Sequence, residues 1–452
     1  MGHIHLIAIG GSVMHNLALA LHQAGHTVSG SDDQIFEPAR TRLEAAGLLP
    51  KAEGWDPERI HSGIDFVILG MHAKAGNAEL ARTMECRIPV YSFPEFISKA
   101  YAGKQQVVVA GSHGKTTTTS MIMHILRVAN KSFDYLVGAQ LEGFSTMVRL
   151  SDAPIAVIEG DEYLSSCLDP RPKFVHYLPD ILIITGIAWD HFNVFPTQES
   201  YESAFADLIR GCKPGTSLIY ACDDPVLTRL VRENGSELEC IGYGPAEHGD
   251  VGGVPQLVYQ GTITPLKVFG RHNLENAQAA ILACEQLGVC RGDACRSLGS
   301  FHGAAKRLEC LYSSEAQTVY RDFAHAPSKL KASLEALRAR HVDKKMLAVV
   351  ELHSYSSLNE QFIPNYAKTS DAADRLIVYY DSKALDIKGM KAPDPEFTKA
   401  AFDHPNSMVC RDSVELRSLL KIEFGRYGVV VFAGSGNFGG LHLNEFQPVS
   451  LE

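Results

Sequence analysis

Gly111-Ser112-His113-Gly114-Lys115-Thr116-Thr117 stands directly after the apolar run Val107–Ala110 and opens a helical stretch over Lys115–Val128. Glycines here let the backbone curl until its N–H groups converge on phosphate oxygens. The Lys115 ammonium then reaches the β- and γ-phosphates, and the Thr116 hydroxyl reaches a nucleotide-bound Mg²⁺. The loop is shorter than the usual GxxxxGK[ST], because Val109 occupies the place of the first glycine. A plain glycine turn is the competing reading; the strand–loop–helix context favours phosphate. Glu159-Gly160-Asp161-Glu162 follows the apolar run Ile155–Ile158, and Asp190-His191 follows Ile181–Ile184. Acids at the carboxyl ends of parallel strands lie beside such a loop, where nucleotide-bound metal needs oxygen ligands. In isolation these acids are solvated turns; beside a phosphate loop, Glu159 and His191 join Thr116 as metal candidates.

A second glycine loop, Ala8-Ile9-Gly10-Gly11-Ser12, has part of a dinucleotide fingerprint, but Ala8 and Val13 stand where GxGxxG needs glycines. Asp32 follows about twenty residues on, where a ribose-binding acid belongs. A nucleotide or sugar-nucleotide site and a tight structural turn both fit. Gly270-Arg271-His272-Asn273-Leu274-Glu275-Asn276 precedes an alanine-rich helix, with Asn273 placed as an N-cap. Lys306 and Arg307 adjoin at a junction, where a solvated hinge is the plain reading. In Arg321–Pro327, Asp322 and His325 sit where a βα loop touches a ligand. Arg171, Lys173 and His176 form a cationic cluster after the acidic segment, and Gly434–Gly440 is a late glycine loop.

The elements that must hold these residues alternate throughout between short apolar strands and amphipathic helices, which reads as α/β with mostly parallel sheets. Strands are expected at His5–Ile9, Thr27–Ser29, Phe66–Leu69, Val90–Ser92, Val107–Ala110, Ile155–Ile158, Ile181–Ile184, Leu347–Val350, Leu376–Tyr380 and Val429–Phe432. Residues 235–270 read as a small antiparallel excursion. A helix from Ser328 sets Leu330, Leu334 and Leu337 on one face. With 452 residues, three domains are expected: Rossmann-like 1–103, a central P-loop ATPase 104–300 and Rossmann-like 301–452. The net charge is 42 − 52 = −10, which disfavours nucleic acid and anionic membrane as partners. No apolar run reaches spanning length and the N-terminus has no signal-peptide pattern, so neither membrane insertion nor export is expected. Ten cysteines without a CxxC pair suit free thiols in the cytoplasm.

In this order the motifs resemble the Mur ligase family, ATP-dependent amide-forming enzymes of peptidoglycan assembly, across essentially the whole chain. GSHGKTTTT resembles the family's phosphate loop, EGDEY its acidic segment, WDH its aspartate–histidine pair, RHNLENAQAA its adenine-site segment, KRLE its interdomain arginine motif and DFAHAP the opening of its C-terminal domain. The resemblance implies ATP as co-substrate, bound by Gly111, His113, Gly114, Lys115, Thr116, Thr117, His272, Asn273, Asn276, Arg307 and Asp322. It implies Mg²⁺ on Thr116, Glu159 and His191, with Lys115, Glu159, His191 and Arg307 as the catalytic set. It implies a UDP-sugar near Gly10, Gly11, Ser12, Asp32, His72 and Asn77, and Arg171, Lys173 and His325 stand as acceptor candidates. Within the family, the N-terminal GGS is similar to branches that use UDP-N-acetylmuramate. Asp169–Tyr177 is similar to the recycling branch, which joins that substrate to L-alanyl-γ-D-glutamyl-meso-diaminopimelate. Ala8 replaces a family glycine, Leu164 an Asp, and His353-Ser354-Tyr355 the recycling branch's Pro-Arg-Ser. Ala204-Phe205 falls where other branches carry a carbamylated lysine, so none is expected. The rival expectations are ligation to free L-alanine and a non-catalytic UDP-sugar and ATP sensor. The expected molecule is a monomer or weak dimer acting on small-molecule substrates.

Overall fold

The computed structural model describes residues 2–189, 192–251, 254–305, 307–382, 385 and 390–441. Among them, strands β1 (His3–Ile7), β2 (Thr27–Ser31), β3 (Phe66–Leu69) and β4 (Val90–Ser92) form a parallel sheet in the order β2-β1-β3-β4. Next come β5 (Gln105–Ala110), β6 (Phe133–Leu136), β7 (Val148–Arg149), β8 (Ile155–Glu159), β9 (Ile181–Ile184), β10 (Ser217–Ala221) and β11 (Glu239–Tyr243). They lie in the order β11-β10-β9-β5-β8-β6-β7, with only the β6–β7 pair antiparallel. Strands β12 (His248–Val251), β13 (Val254–Tyr259) and β14 (Thr262–Pro265) make a small antiparallel sheet. Finally β15 (Glu309–Ser313), β16 (Thr318–Asp322), β17 (Met346–Glu351), β18 (Arg375–Tyr379), β19 (Ser407–Cys410) and β20 (Val429–Ala433) lie in the order β15-β16-β20-β17-β18-β19. There, only β15–β16 is antiparallel.

Residue choice explains the layers. Val107, Val108 and Val109 of β5 and Leu182, Ile183 and Ile184 of β9 have no exposed surface, as strands covered by helices on both faces require. In the last sheet, Met346, Ala348 and Val350 pack with Leu330, Leu334 and Leu337 of the helix Pro327–Arg340. Leu347 and Val349 point the other way and pack with Leu416 and Leu420 of the helix Ser413–Glu423. The period-2 strand and the helical leucine stripe meet as the sequence predicts.

One expectation needs correction. Glu239–Tyr243 is not part of an antiparallel excursion; it pairs parallel with β10 and extends the central sheet. The helix Pro225–Asn234 between the two strands supplies the crossover that parallel pairing needs. The chain divides into two compact units, one holding Met1–Ile187, Glu199–Gly244 and Glu275–Leu298, the other Ala188–Gln198, Pro245–Leu274 and Gly299–Glu452. Within the second unit, Phe192 N–H donates to Ser356 Oγ at 3.0 Å, and the Arg340 guanidinium lies 4.6 Å from the Phe269 ring centre. All ten cysteines are free. No helix among the described residues is long and apolar enough to cross a membrane.

Candidate functional site

The phosphate-loop motif leaves the carboxyl end of β5, in the middle of the seven-stranded sheet. Its neighbours β8 and β9 put Glu159 opposite Val109 and Ile184 opposite Ala110. Gly111 has φ +125° and Gly114 φ +77°. A Cβ on Gly111 would lie 2.3 Å from Thr185 Oγ1, and one on Gly114 would lie 2.3 Å from Asn276 Oδ1, so both conformation and space demand glycine. Ser112 N–H donates to the Gly186 carbonyl at 2.9 Å, and the Thr185 hydroxyl donates to the His113 carbonyl. Asn276 accepts from the Thr118 hydroxyl at 3.1 Å, which ties the helix Arg271–Gln286 to the helix that the loop opens.

Two acids hydrogen-bond to this loop. Thr116 Oγ1 donates to Glu159 Oε1 at 2.8 Å, and Gly138 N–H donates to Glu159 Oε2 at 2.6 Å. Lys115 Nζ donates to the Gly111 carbonyl at 2.6 Å and to Glu162 Oε2 at 2.6 Å. Burial pulls the Lys115 pKa down, but the carboxylates of Glu162, Asp161 and Glu159 outweigh it and hold it above the usual lysine value. Sequence reasoning placed the acidic segment from Glu159 to Glu162 here but gave Glu162 no role, and it missed Thr185 and Tyr201. Tyr201, from the helix Gln198–Arg210, meets Ser112 Oγ at 2.8 Å and Glu162 Oε1 at 3.4 Å. The one available signal was Glu162's place in the acidic segment. Asp190, His191 and Lys306 lie outside the described residues.

In the N-terminal sheet, Gly10 N–H donates to Asp32 Oδ2 at 2.7 Å. Asp32 also accepts from Asp33 N–H at 2.9 Å. Burial, with Asp33 beside it, raises the Asp32 carboxyl to about 6. Ala8 adopts φ +69°, in the left-handed region that favours glycine. Gly11 is the N-cap and Ser12 the first residue of the helix Ser12–Gln23. The sequence-predicted residues Gly10 and Asp32 are thus in direct contact, with Gly11 and Ser12 next along the chain at the helix start. His72 is exposed, whereas Asn77 is buried and spends its side-chain oxygen on Leu80 N–H at 3.0 Å, capping the helix Ala78–Glu85.

The cationic cluster differs from its sequence reading. Arg171 grips Asp169, with Nη2 2.7 Å from Oδ2, and Lys173 Nζ is 2.5 Å from Asp161 Oδ2. Hydrogen bonds from Arg171 hold the Asp169 carboxyl down to about 2, so it stays charged. The segment is a set of ion pairs, and the net positive patch expected from Arg171, Lys173 and His176 is largely cancelled.

In the second unit, Asp322 ends β16 and accepts from Leu308 N–H at 3.2 Å and from the Ser333 hydroxyl. The neighbouring Arg307 guanidinium lies 4.6 Å from the Phe323 ring centre. Burial lowers the His272 pKa, with Asp322 acting the other way. Asn273 Nδ2 donates to the Phe269 carbonyl at 2.8 Å. The His325 ring contacts Phe323, with centroids 5.0 Å apart. Arg307, Asp322 and His272 thus gather around one strand end.

A short glycine loop at the centre of a parallel sheet, with ammonium, hydroxyl and carboxylate converging on it, defines a nucleoside-triphosphate-binding α/β protein. Residues 3–105 match the Mur ligase family catalytic domain and residues 109–284 the Mur ligase middle domain, and the chain belongs to the Mur ligase family. It is 33% identical, over 100% of both chains, to the UDP-N-acetylmuramate--L-alanyl-gamma-D-glutamyl-meso-2,6-diaminoheptandioate ligase of Haemophilus influenzae. It is 30% identical to the UDP-N-acetylmuramate--L-alanine ligase of Paenarthrobacter aurescens, over 84% of this chain and 83% of that one. A murein peptide ligase from Psychrobacter arcticus shares the three-domain fold, with a TM-score of 0.70, 24% identity and coverage of 99% and 98%.

Proposed function

We propose that this Mur ligase joins the carboxylate of UDP-N-acetylmuramate to the α-amine of L-alanyl-γ-D-glutamyl-meso-diaminopimelate with ATP as the energy source. The observation that carries the reading is the 33% identity to the Haemophilus influenzae enzyme along the whole of both chains. ATP and a UDP-sugar as co-substrates make the cytoplasm its compartment.

The chemistry runs in two steps. A muramate carboxylate oxygen attacks the γ-phosphorus, ADP leaves, and an acyl phosphate remains. The neutral amine of the acceptor then attacks the acyl carbon, and the tetrahedral adduct expels inorganic phosphate while the nitrogen loses a proton. Such transfers depend on positioning and on neutralising phosphate charge. Lys115 supplies a cation, and the N–H groups at the start of the helix Lys115–Val128 supply oriented dipoles. Thr116 and Glu159 present hard oxygen donors 2.8 Å apart, a set that suits Mg²⁺, with His191 proposed as a further ligand. Mg²⁺ held there neutralises charge on the phosphate oxygens. Asn276, His272, Asn273, Arg307 and Asp322 are assigned to the nucleotide, and Gly10, Gly11, Ser12, Asp32, His72 and Asn77 to the UDP-sugar. Arg171, Lys173 and His325 are assigned to the acceptor, with Arg171 and Lys173 acting through polar geometry rather than net charge. The test is Lys115→Ala: phosphate release with ATP, UDP-N-acetylmuramate and tripeptide should vanish while the circular-dichroism spectrum stays unchanged. Full turnover by the variant refutes the assignment.

A further inference from the structure

Glu162 has no exposed surface, yet its carboxylate takes the very ammonium that a phosphate loop offers to nucleotide, at 2.6 Å. Its role is distinct from that of Glu159, which takes the Thr116 hydroxyl and Gly138 N–H instead. Glu162 does not act alone. The Tyr201 hydroxyl, on a fully buried side chain, lies 3.4 Å from Glu162 Oε1 and 2.8 Å from Ser112 Oγ, so one ring fixes both the acid and the loop. A carboxylate on the phosphate-binding lysine opposes nucleotide binding in two ways. It competes for N–H donors, and its charge repels phosphate in a poorly screened site. Tight ground-state binding of nucleotide does not speed a ligase; it slows departure of ADP.

We propose that Glu162, fixed by Tyr201, is a positioning residue that shares the Lys115 ammonium with the nucleotide's phosphates and so keeps ADP and ATP loosely enough held for turnover. The inference rests on the nucleotide-binding reading of the loop. A structural acid would behave differently: its loss would loosen the loop and weaken nucleotide binding.

Calorimetric titration of the full-length protein with MgADP separates the two. Glu162→Gln keeps the size and an acceptor oxygen and removes the charge, so the ADP Kd should fall by about tenfold, with kcat not rising. Glu162→Asp keeps the charge but draws it back from Lys115, and its Kd should lie between those of wild type and Glu162→Gln. If Glu162→Gln does not fold, Glu162→Asp decides by the same sign. An ADP Kd that is unchanged or raised overturns the proposal. Failure of the wild type itself to bind MgADP, or undiminished binding by Lys115→Ala, would instead overturn the nucleotide-site reading beneath it.

Discussion

Gly114→Ala perturbs the phosphate loop by a single methyl group. Gly114 sits at φ +77°, in the left-handed region, where an L side chain costs about 1–2 kcal/mol. The new Cβ would also stand 2.3 Å from Asn276 Oδ1. Asn276 must move, which breaks its 3.1 Å hydrogen bond from the buried Thr118 hydroxyl and adds about 1 kcal/mol. The sum is about 2–3 kcal/mol. The loop can shed that strain only by leaving its phosphate-ready shape, so the ATP Kd should rise by about 30- to 150-fold. The assay is equilibrium titration with MgATP, with the KM for UDP-sugar followed alongside and expected to stay constant. Gly103→Ala is the control: Gly103 has φ +80° but nothing within 4 Å of its Cβ position, so it carries the strain without the collision. Its ATP Kd should stay within about twofold of wild type, because it lies outside the loop. A Gly114→Ala protein whose ATP Kd stays within about threefold of wild type would refute the reasoning, since a 2 kcal/mol lesion cannot hide in that margin.

Other consequences can be measured as directly. Glu159→Gln should raise the Mg²⁺ concentration giving half-maximal activity by about tenfold, because an amide oxygen is a poorer ligand for a hard cation than a carboxylate; an unchanged Mg²⁺ titration removes Glu159 from the site. Asp32→Ala takes the acceptor away from Gly10 N–H and should raise the KM for UDP-N-acetylmuramate several-fold while sparing the KM for ATP; equal shifts in both would show a general loosening instead. Glu351, buried at the end of β17, is pushed up by burial to about 7 from its ordinary 4.5. The native state then holds more protons than the unfolded state between those values, so this group's contribution to stability falls as pH rises across that window. Glu351→Gln has no such dependence, so its stability relative to wild type should improve by about 2–3 kcal/mol from pH 5 to pH 8 in denaturant titrations. A difference that does not vary with pH would count against the shift.

Much of the fold was legible because buried parallel strands announce themselves as unbroken apolar runs: Ile181–Ile184 and Phe66–Leu69 have the expected bounds, and β5 and β20 extend theirs by one or two residues. Leu330, Leu334 and Leu337 mark the buried face of their helix for the same reason. The loop lysine and Glu159 were readable because strand ends in a parallel sheet converge whatever the intervening sequence. Partner choice was not readable. Arg171 and Lys173 count as positive in sequence, but in the folded chain Asp169 and Asp161 pair with them and cancel much of that charge. Thr185 and Tyr201 lie about 70 and 90 residues from the loop they support, a separation at which no local pattern speaks. Glu239–Tyr243 was misread because strand pairing direction depends on the preceding helix rather than on its own residues.

Acceptor choice separates the tripeptide ligase from a muramate–alanine ligase. Phosphate release is followed with saturating ATP and UDP-N-acetylmuramate while either L-alanyl-γ-D-glutamyl-meso-diaminopimelate or free L-alanine is varied. The tripeptide should exceed L-alanine in kcat/KM by at least about tenfold, a gap of about 1.4 kcal/mol in transition-state binding. A higher kcat/KM for free L-alanine would contradict it and make the chain a muramate–alanine ligase.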